Sequence, residues 1–156
     1  MLIKSLKIYL TYLIEFDIIT LSDKEREEKR MGYTRYWKRT EKQMDEDFVE
    51  FCKEVFKTCA KLGIKLGNGY GVNEPIARTS GIGFNGDATK DLDHESFILD
   101  GDKIGTGFNF CKTARKPYDY AVRTILREAL TRGYITDLSD DGINEEIISD
   151  DEYLKY

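Results

Sequence analysis

Apolar and polar positions follow two rhythms along this chain. From Tyr33 to Thr40 (YTRYWKRT) aromatic and polar residues interleave, which predicts a strand. From about Met44 to Leu62 the apolar residues Phe48, Cys52, Val55, Cys59 and Leu62 recur every three or four positions, which predicts an amphipathic helix. Thr40 with Gln43 suits a capping box before it, and Gly63 suits its C-terminal stop. Residues 67–75 (GNGYGVNEP) hold three glycines and a proline and predict a loop. Ile76 to Asn85 reads as a second strand, interrupted by Gly81 and Gly83, and residues 86–95 read as a polar loop. Phe97–Leu99 and Lys103–Cys111 flank Asp100-Gly101-Asp102, a pattern that predicts a hairpin. A last helix is expected from Pro117 to about Arg132, with Tyr118, Val122, Ile125 and Ala129 as its buried stripe and Gly133 as its stop.

Strand, long helix, several strands, helix, tail is the order of an α+β domain. The expected architecture is an antiparallel sheet with two main helices packed on one face, plus an N-terminal extension. Residues 1–20 (MLIKSLKIYLTYLIEFDIIT) are apolar but broken by Lys4, Lys7, Glu15 and Asp17, which argues against a membrane-spanning helix. They fit an amphipathic helix or strand that docks on the domain or on a second copy, the latter giving a homo-oligomer, with a peripheral membrane anchor as the lesser reading. Residues 22–30 (SDKEREEKR) are a charged linker followed by Met31, a possible alternative start. The expected organisation is therefore an extension over 1–30, an α+β domain over 31–136 and an acidic tail over 137–156.

Charge sharpens that division. The formal net charge is −5, with 24 Lys and Arg against 29 Asp and Glu. Eight of those acids and one base, Lys155, fall in residues 137–156, so the rest of the chain is close to neutral. Such a body is not a generic nucleic-acid binder, although a local basic patch remains open. Cysteines Cys52, Cys59 and Cys111 form no CxxC pair and read as buried thiols of a reducing compartment, placing the protein in the cytoplasm of its cell. A single histidine, His94, excludes a two-histidine zinc motif within one chain. Asp91, Asp93, His94 and Glu95 read as a solvated turn rather than a metal site, and no cofactor or catalytic constellation is implied.

The stretch richest in chemistry is Phe108-Asn-Phe-Cys-Lys-Thr-Ala-Arg-Lys-Pro-Tyr-Asp119. On a strand Phe108 and Phe110 share one side, Asn109 and Cys111 the other. The chain then turns through Lys112, Thr113, Arg115 and Lys116 into a helix, whose first N–H groups favour an anion. Candidate ligand-binding residues are Lys112, Thr113, Arg115, Lys116 and Tyr118, with Arg35 or Arg78 assisting. Tyr33, Tyr36 and Trp37 lie among Arg35, Lys38 and Arg39, a mixture that can stack bases and hold phosphates. Trp37 reads as core; Arg35 and Arg39 stay open.

Gly32-Tyr33-Thr34-Arg35-Tyr36-Trp37, Phe84-Asn85-Gly86 and Phe110–Asp119 together resemble a family of small phage-encoded proteins of unknown function. Members of that family often open with Gly-Tyr-Thr-His-Tyr-Trp. They carry Phe-Asn-Gly in the middle and Phe-Cys-Lys-Thr-x-Arg-Lys-Pro-Tyr-Asp before an amphipathic helix. Ser139-Asp140-Asp141-Gly142 resembles the turn that follows, and Arg35 stands where members have histidine. The resemblance spans Met31 to about Gly142. It implies a phage or prophage accessory protein and brings no activity with it.

Three functions follow as expectations. The first is binding of a phosphate-bearing ligand, a nucleotide-type small molecule or nucleic acid, at the basic strand–loop–helix. The second is a protein–protein inhibitor or adaptor acting on a host factor through the acidic tail. The third, a small nucleotide enzyme using Asp91, Asp93 or His94, ranks last.

Overall fold

The computed structural model describes residues 33–102 and 107–141. The expectations for residues 1–30 and for 142–156 lie outside the described residues. All described residues belong to one unit that begins at Tyr33.

The fold is α+β and its strand pairings are antiparallel, but the strands form two sheets rather than one. The first sheet has the order β6-β1-β7, from β1 (Thr34–Arg39), β6 (Gly107–Lys112) and β7 (Ile135–Asp140). Both β6 and β7 run antiparallel to β1, so they are parallel to each other across it. Helix α2 (Asp119–Thr131) makes the crossover between them, a split β-α-β arrangement. The second sheet has β4 (Gly81–Gly86) between β2 (Leu66–Gly67) and β3 (Ile76–Arg78), with β5 (Phe97–Asp100) also on β4. Helix α1 (Glu46–Lys61) lies between β1 and β2 in the chain.

Helix α1 starts at an Asp45 cap, whose Oδ1 accepts from Phe48 N at 2.9 Å, and not at the expected Thr40 box. Thr40 Oγ1 donates instead to Gly133 O, fastening β1 to the α2–β7 turn. The expected stripe is buried from Phe48 to Cys59, while Leu62 is exposed. The expected Tyr118, just before α2, and Val122, Ile125 and Ala129 within it are all fully buried. That helix begins at Asp119 because Pro117 and Tyr118 are spent on a preceding turn.

Three expectations change. The single strand over 76–85 is a hairpin, β3 and β4, turning at Thr79-Ser80. The hairpin expected around Asp100-Gly101-Asp102 does not form, since β5 pairs with β4 and β6 with β1. Burial decides this: Phe97 and Leu99 are buried beside Ile82 and Phe84 of β4. Gly101 also seats against the Thr79-Ser80 backbone so closely that a Cβ would collide with the Thr79 carbonyl. Finally, residues 137–140, expected in the acidic tail, belong to β7 and pair with β1.

The core joins the two sheets. Trp37 of β1 meets Phe97 of β5 at 5.6 Å between ring centroids, and Phe97 meets Phe84 at 4.9 Å. Arg39 reinforces the junction through buried donors, Nε to Asp100 O at 2.6 Å and Nη1 to Tyr134 O at 2.6 Å.

Candidate functional site

The alternation of β1 and β6 sorts their side chains onto two faces. On the inner face Arg35, Trp37, Arg39 and Cys111 are buried. On the outer face three cross-strand pairs stand side by side: Thr34 with Lys112, Tyr36 with Phe110, and Lys38 with Phe108. Phe108 is 64% exposed and Phe110 56%, whereas Phe48, Phe84 and Phe97 are fully buried. The exposed rings touch. Tyr36 stacks on Phe108 at 5.8 Å with planes 23° apart, and Phe108 lies 6.2 Å from Phe110.

Charge flanks this aromatic strip unevenly. On the β7 side Asp137 Oδ2 pairs with Lys38 Nζ at 2.8 Å, and Asp141 Oδ1 accepts from Tyr36 OH at 2.8 Å. At the end of β6 the charge is positive. The backbone of Lys112 is clamped from both sides: its N–H donates to Glu95 Oε2 at 2.7 Å, and its carbonyl accepts from Glu95 N and contacts His94 Nδ1. Lys112 is partly buried, and its ammonium has no ion-pair partner among the described residues. Beyond it Ala114 and Arg115 both adopt left-handed backbone, at φ 50° and 55°. That is a costly conformation for side-chain-bearing residues, so the surroundings must impose it. The amides of Thr113 and Ala114 both donate to Tyr33 O, and the exposed Arg115 guanidinium lies 4.7 Å over the Tyr33 ring.

The other residues expected at the site serve the interior. Arg35 makes a two-pronged pair with Asp119, Nε to Oδ1 at 2.7 Å and Nη2 to Oδ2 at 2.6 Å, and also reaches Asp140 Oδ2 at 3.3 Å. Thr113 is buried and its Oγ1 donates to the same Asp119 at 2.8 Å. Tyr118 is buried with its OH on Glu95 O at 2.7 Å, and burial pushes its ionisation far above the usual phenol range. Arg35, Thr113 and Tyr118 therefore support the site rather than face a ligand. Nor is the start of α2 an open anion seat. The amides of Asp119, Tyr120 and Ala121 donate to the carbonyls of Lys116, Pro117 and Tyr118, and the Asp119 carboxylate supplies the negative charge there. Lys116 Nζ, half-buried, donates to Asp91 O. Arg78 is exposed at the end of β3, in the second sheet, and is not part of the strand–loop–helix.

Of the expected residues, only Lys112 shares the outer face with the rings, while Arg115 lies over the Tyr33 ring and Lys116 is turned to Asp91. Tyr36 joins Lys112 on that face, a residue marked in the sequence only as part of an aromatic and basic mixture. Asp119 and Asp140 were not anticipated. The signal for Asp119 was its place at the head of an amphipathic helix, where a buried carboxylate can meet a buried guanidinium.

The three thiols are free and buried, and burial pushes that of Cys111 up to about 12, so it stays protonated. Among the described residues no group of His, Cys, Asp or Glu could hold a metal ion, and no helix is long and apolar enough to cross a membrane. A cleft lined by Lys65, Asp87, Lys90 and Tyr118 holds about 40 Å³, room for water rather than a nucleotide. Comparison with protein-family models, with curated proteins and with solved structures finds no match.

Proposed function

We propose that this chain is a phage or prophage accessory protein that binds a phosphate-bearing ligand, nucleotide-type or nucleic acid, on the outer face of β1 and β6. The observation that carries this is an exposed aromatic strip, Tyr36, Phe108 and Phe110, on the face where β6 ends in Lys112, a cation with no ion-pair partner among the described residues, with the exposed Arg115 three residues further on over the Tyr33 ring. Rings offer their faces to a base, and cations at the end of the strip balance phosphate. The site is narrower than the sequence implied, because Arg35, Thr113 and Tyr118 act from behind as scaffold.

The test is calorimetric titration with nucleoside mono- and triphosphates and with oligonucleotides. Saturable binding is expected, weakened by replacing Lys112 and Arg115 with Ala while the thermal transition is kept. Binding indifferent to that double substitution would remove the site.

The acidic edge favours a second reading, a host-protein adaptor. Asp137, Asp140 and Asp141 lie on or beside the edge strand β7. Its test is a chain ending after Asp141, since a cut at 137 would remove a paired strand. Unchanged capture of a host partner by that shortened chain would exclude the distal acids.

A further inference from the structure

We infer that the outer face of β1 and β6 is a stacking platform for single-stranded nucleic acid, with the strand running along β6 towards Lys112 and Arg115 and away from β7. This rests on the phosphate-ligand reading above and names the ligand class.

Exposure of a single phenylalanine would carry little weight. Here Phe108 and Phe110, at alternate positions of one strand, are both more than half exposed, and Tyr36 on the neighbouring strand stacks against Phe108. Neither phenylalanine contributes to the core, and the three rings form one continuous surface. Sheets that bind single strands use this arrangement, with aromatics on adjacent strands each receiving one base.

The neighbours of the rings select the occupant. Across the strands the rings are bordered by Thr34, Lys38, Lys112, Thr136 and Ser139. None of these is aliphatic, so among the described residues the strip lacks the Leu, Ile or Met surround of an apolar protein-docking patch. Charge sets the direction. Asp137 and Asp141 line the β7 side, while Lys112 and Arg115 stand at the far end of β6. Asp137 is already paired with Lys38, and Asp141, whose N–H donates to Thr34 O, stands across β1 from Lys112, so the cation favours a polyanion along β6 rather than over β7. Lys112 and Arg115 are also the groups that backbone clamps and left-handed dihedrals fix in place. The platform requires unpaired bases, because a duplex hides the ring faces that the aromatics would stack.

The experiment is fluorescence anisotropy of the full chain with labelled single-stranded RNA and DNA of roughly 12 nucleotides, enough to cover the strip. The same sequence as a duplex, and mononucleotides, are run alongside. Single strands are expected to bind best. Phe108→Leu with Phe110→Leu, which keeps apolar bulk but removes the rings, should weaken binding by about tenfold or more. Phe108→Tyr with Phe110→Tyr should keep it. Lys112→Ala with Arg115→Ala should flatten the salt dependence. Circular dichroism melting checks that each variant folds.

Several results would overturn the inference. One is duplex bound as tightly as single strand; another is oligonucleotide affinity unaffected by the Leu pair. Mononucleotides bound through Lys112 and Arg115, with oligonucleotides no tighter, would sink the platform and leave the phosphate-ligand reading standing. No binding of any nucleotide would sink both. A dimer in light scattering that the Leu pair disperses would assign the face to a second copy of the chain instead.

Discussion

The two faces of β1 and β6 invert the usual division of labour. The inner face buries two arginines, and the outer face exposes two phenylalanines and a stacked tyrosine. Buried guanidinium groups are tolerated only when fully engaged. Arg35 is held by Asp119 and Asp140, and Arg39 by the carbonyls of Thr40, Lys42, Asp100 and Tyr134. Each of the three nitrogens of both guanidinium groups has a partner in the fold. Outside, the two phenylalanine rings have only each other and Tyr36 as ring neighbours among the described residues, and Tyr36 adds one hydrogen bond, to Asp141. The lesson is that charge alone does not mark the working surface here: the most buried cations are scaffold, and the exposed rings are the candidates for function.

The comparison can be broken from the inside first. Replacing Arg35 or Asp119 with Ala leaves its partner charged and buried, at a cost of about 3–5 kcal/mol in urea unfolding. The double change Arg35→Met with Asp119→Leu should cost less than either single change, because no orphan charge remains. An additive result would show that the pair is not coupled. Arg39→Ala comes next. It removes one buried cation serving four carbonyls and should cost about 2–3 kcal/mol, read from the same transition. A smaller effect belongs to acid. The Phe48 backbone N–H holds the Asp45 carboxyl below its usual range, and the Thr89 hydroxyl does the same for Asp87. Their folded pKa values lie below the unfolded ones. Their stabilisation is therefore full above about pH 4 and fades as pH falls through the folded values. Asp45→Asn and Asp87→Asn should each flatten the acid limb of a melting-temperature profile. The smallest expected effect is on the outer face, where Phe108→Leu with Phe110→Leu should shift stability by no more than about 0.5 kcal/mol. A large loss there would make the rings structural and erase the contrast.

Local chemistry made much of the fold legible. The 3.6-residue rhythm located both helices and most of their buried stripes, because that signal depends only on neighbours within one helix. Side-chain alternation put Phe108 and Phe110 on one side of a strand for the same reason. The sheets were less legible. The Asp100-Gly101 hairpin signal is local, but pairing is decided by which distant strand buries Phe97 and Leu99, and β4 does so. The acid count over 137–156 similarly concealed the β7 strand, whose pairing with β1 is not visible in composition.

The sequence by itself determined the α+β class, the two amphipathic helices, the shared side of Phe108 and Phe110, and the cations that follow them. These depend on covalent order and local periodicity. Only the tertiary structure decided that Arg35 is neutralised by Asp119, that the donors heading α2 are already spent, and that Tyr36 completes the exposed strip. The first and last of those facts are contacts between residues far apart in the chain, set by which surfaces must leave water together, and the second is a local turn held in place by that packing.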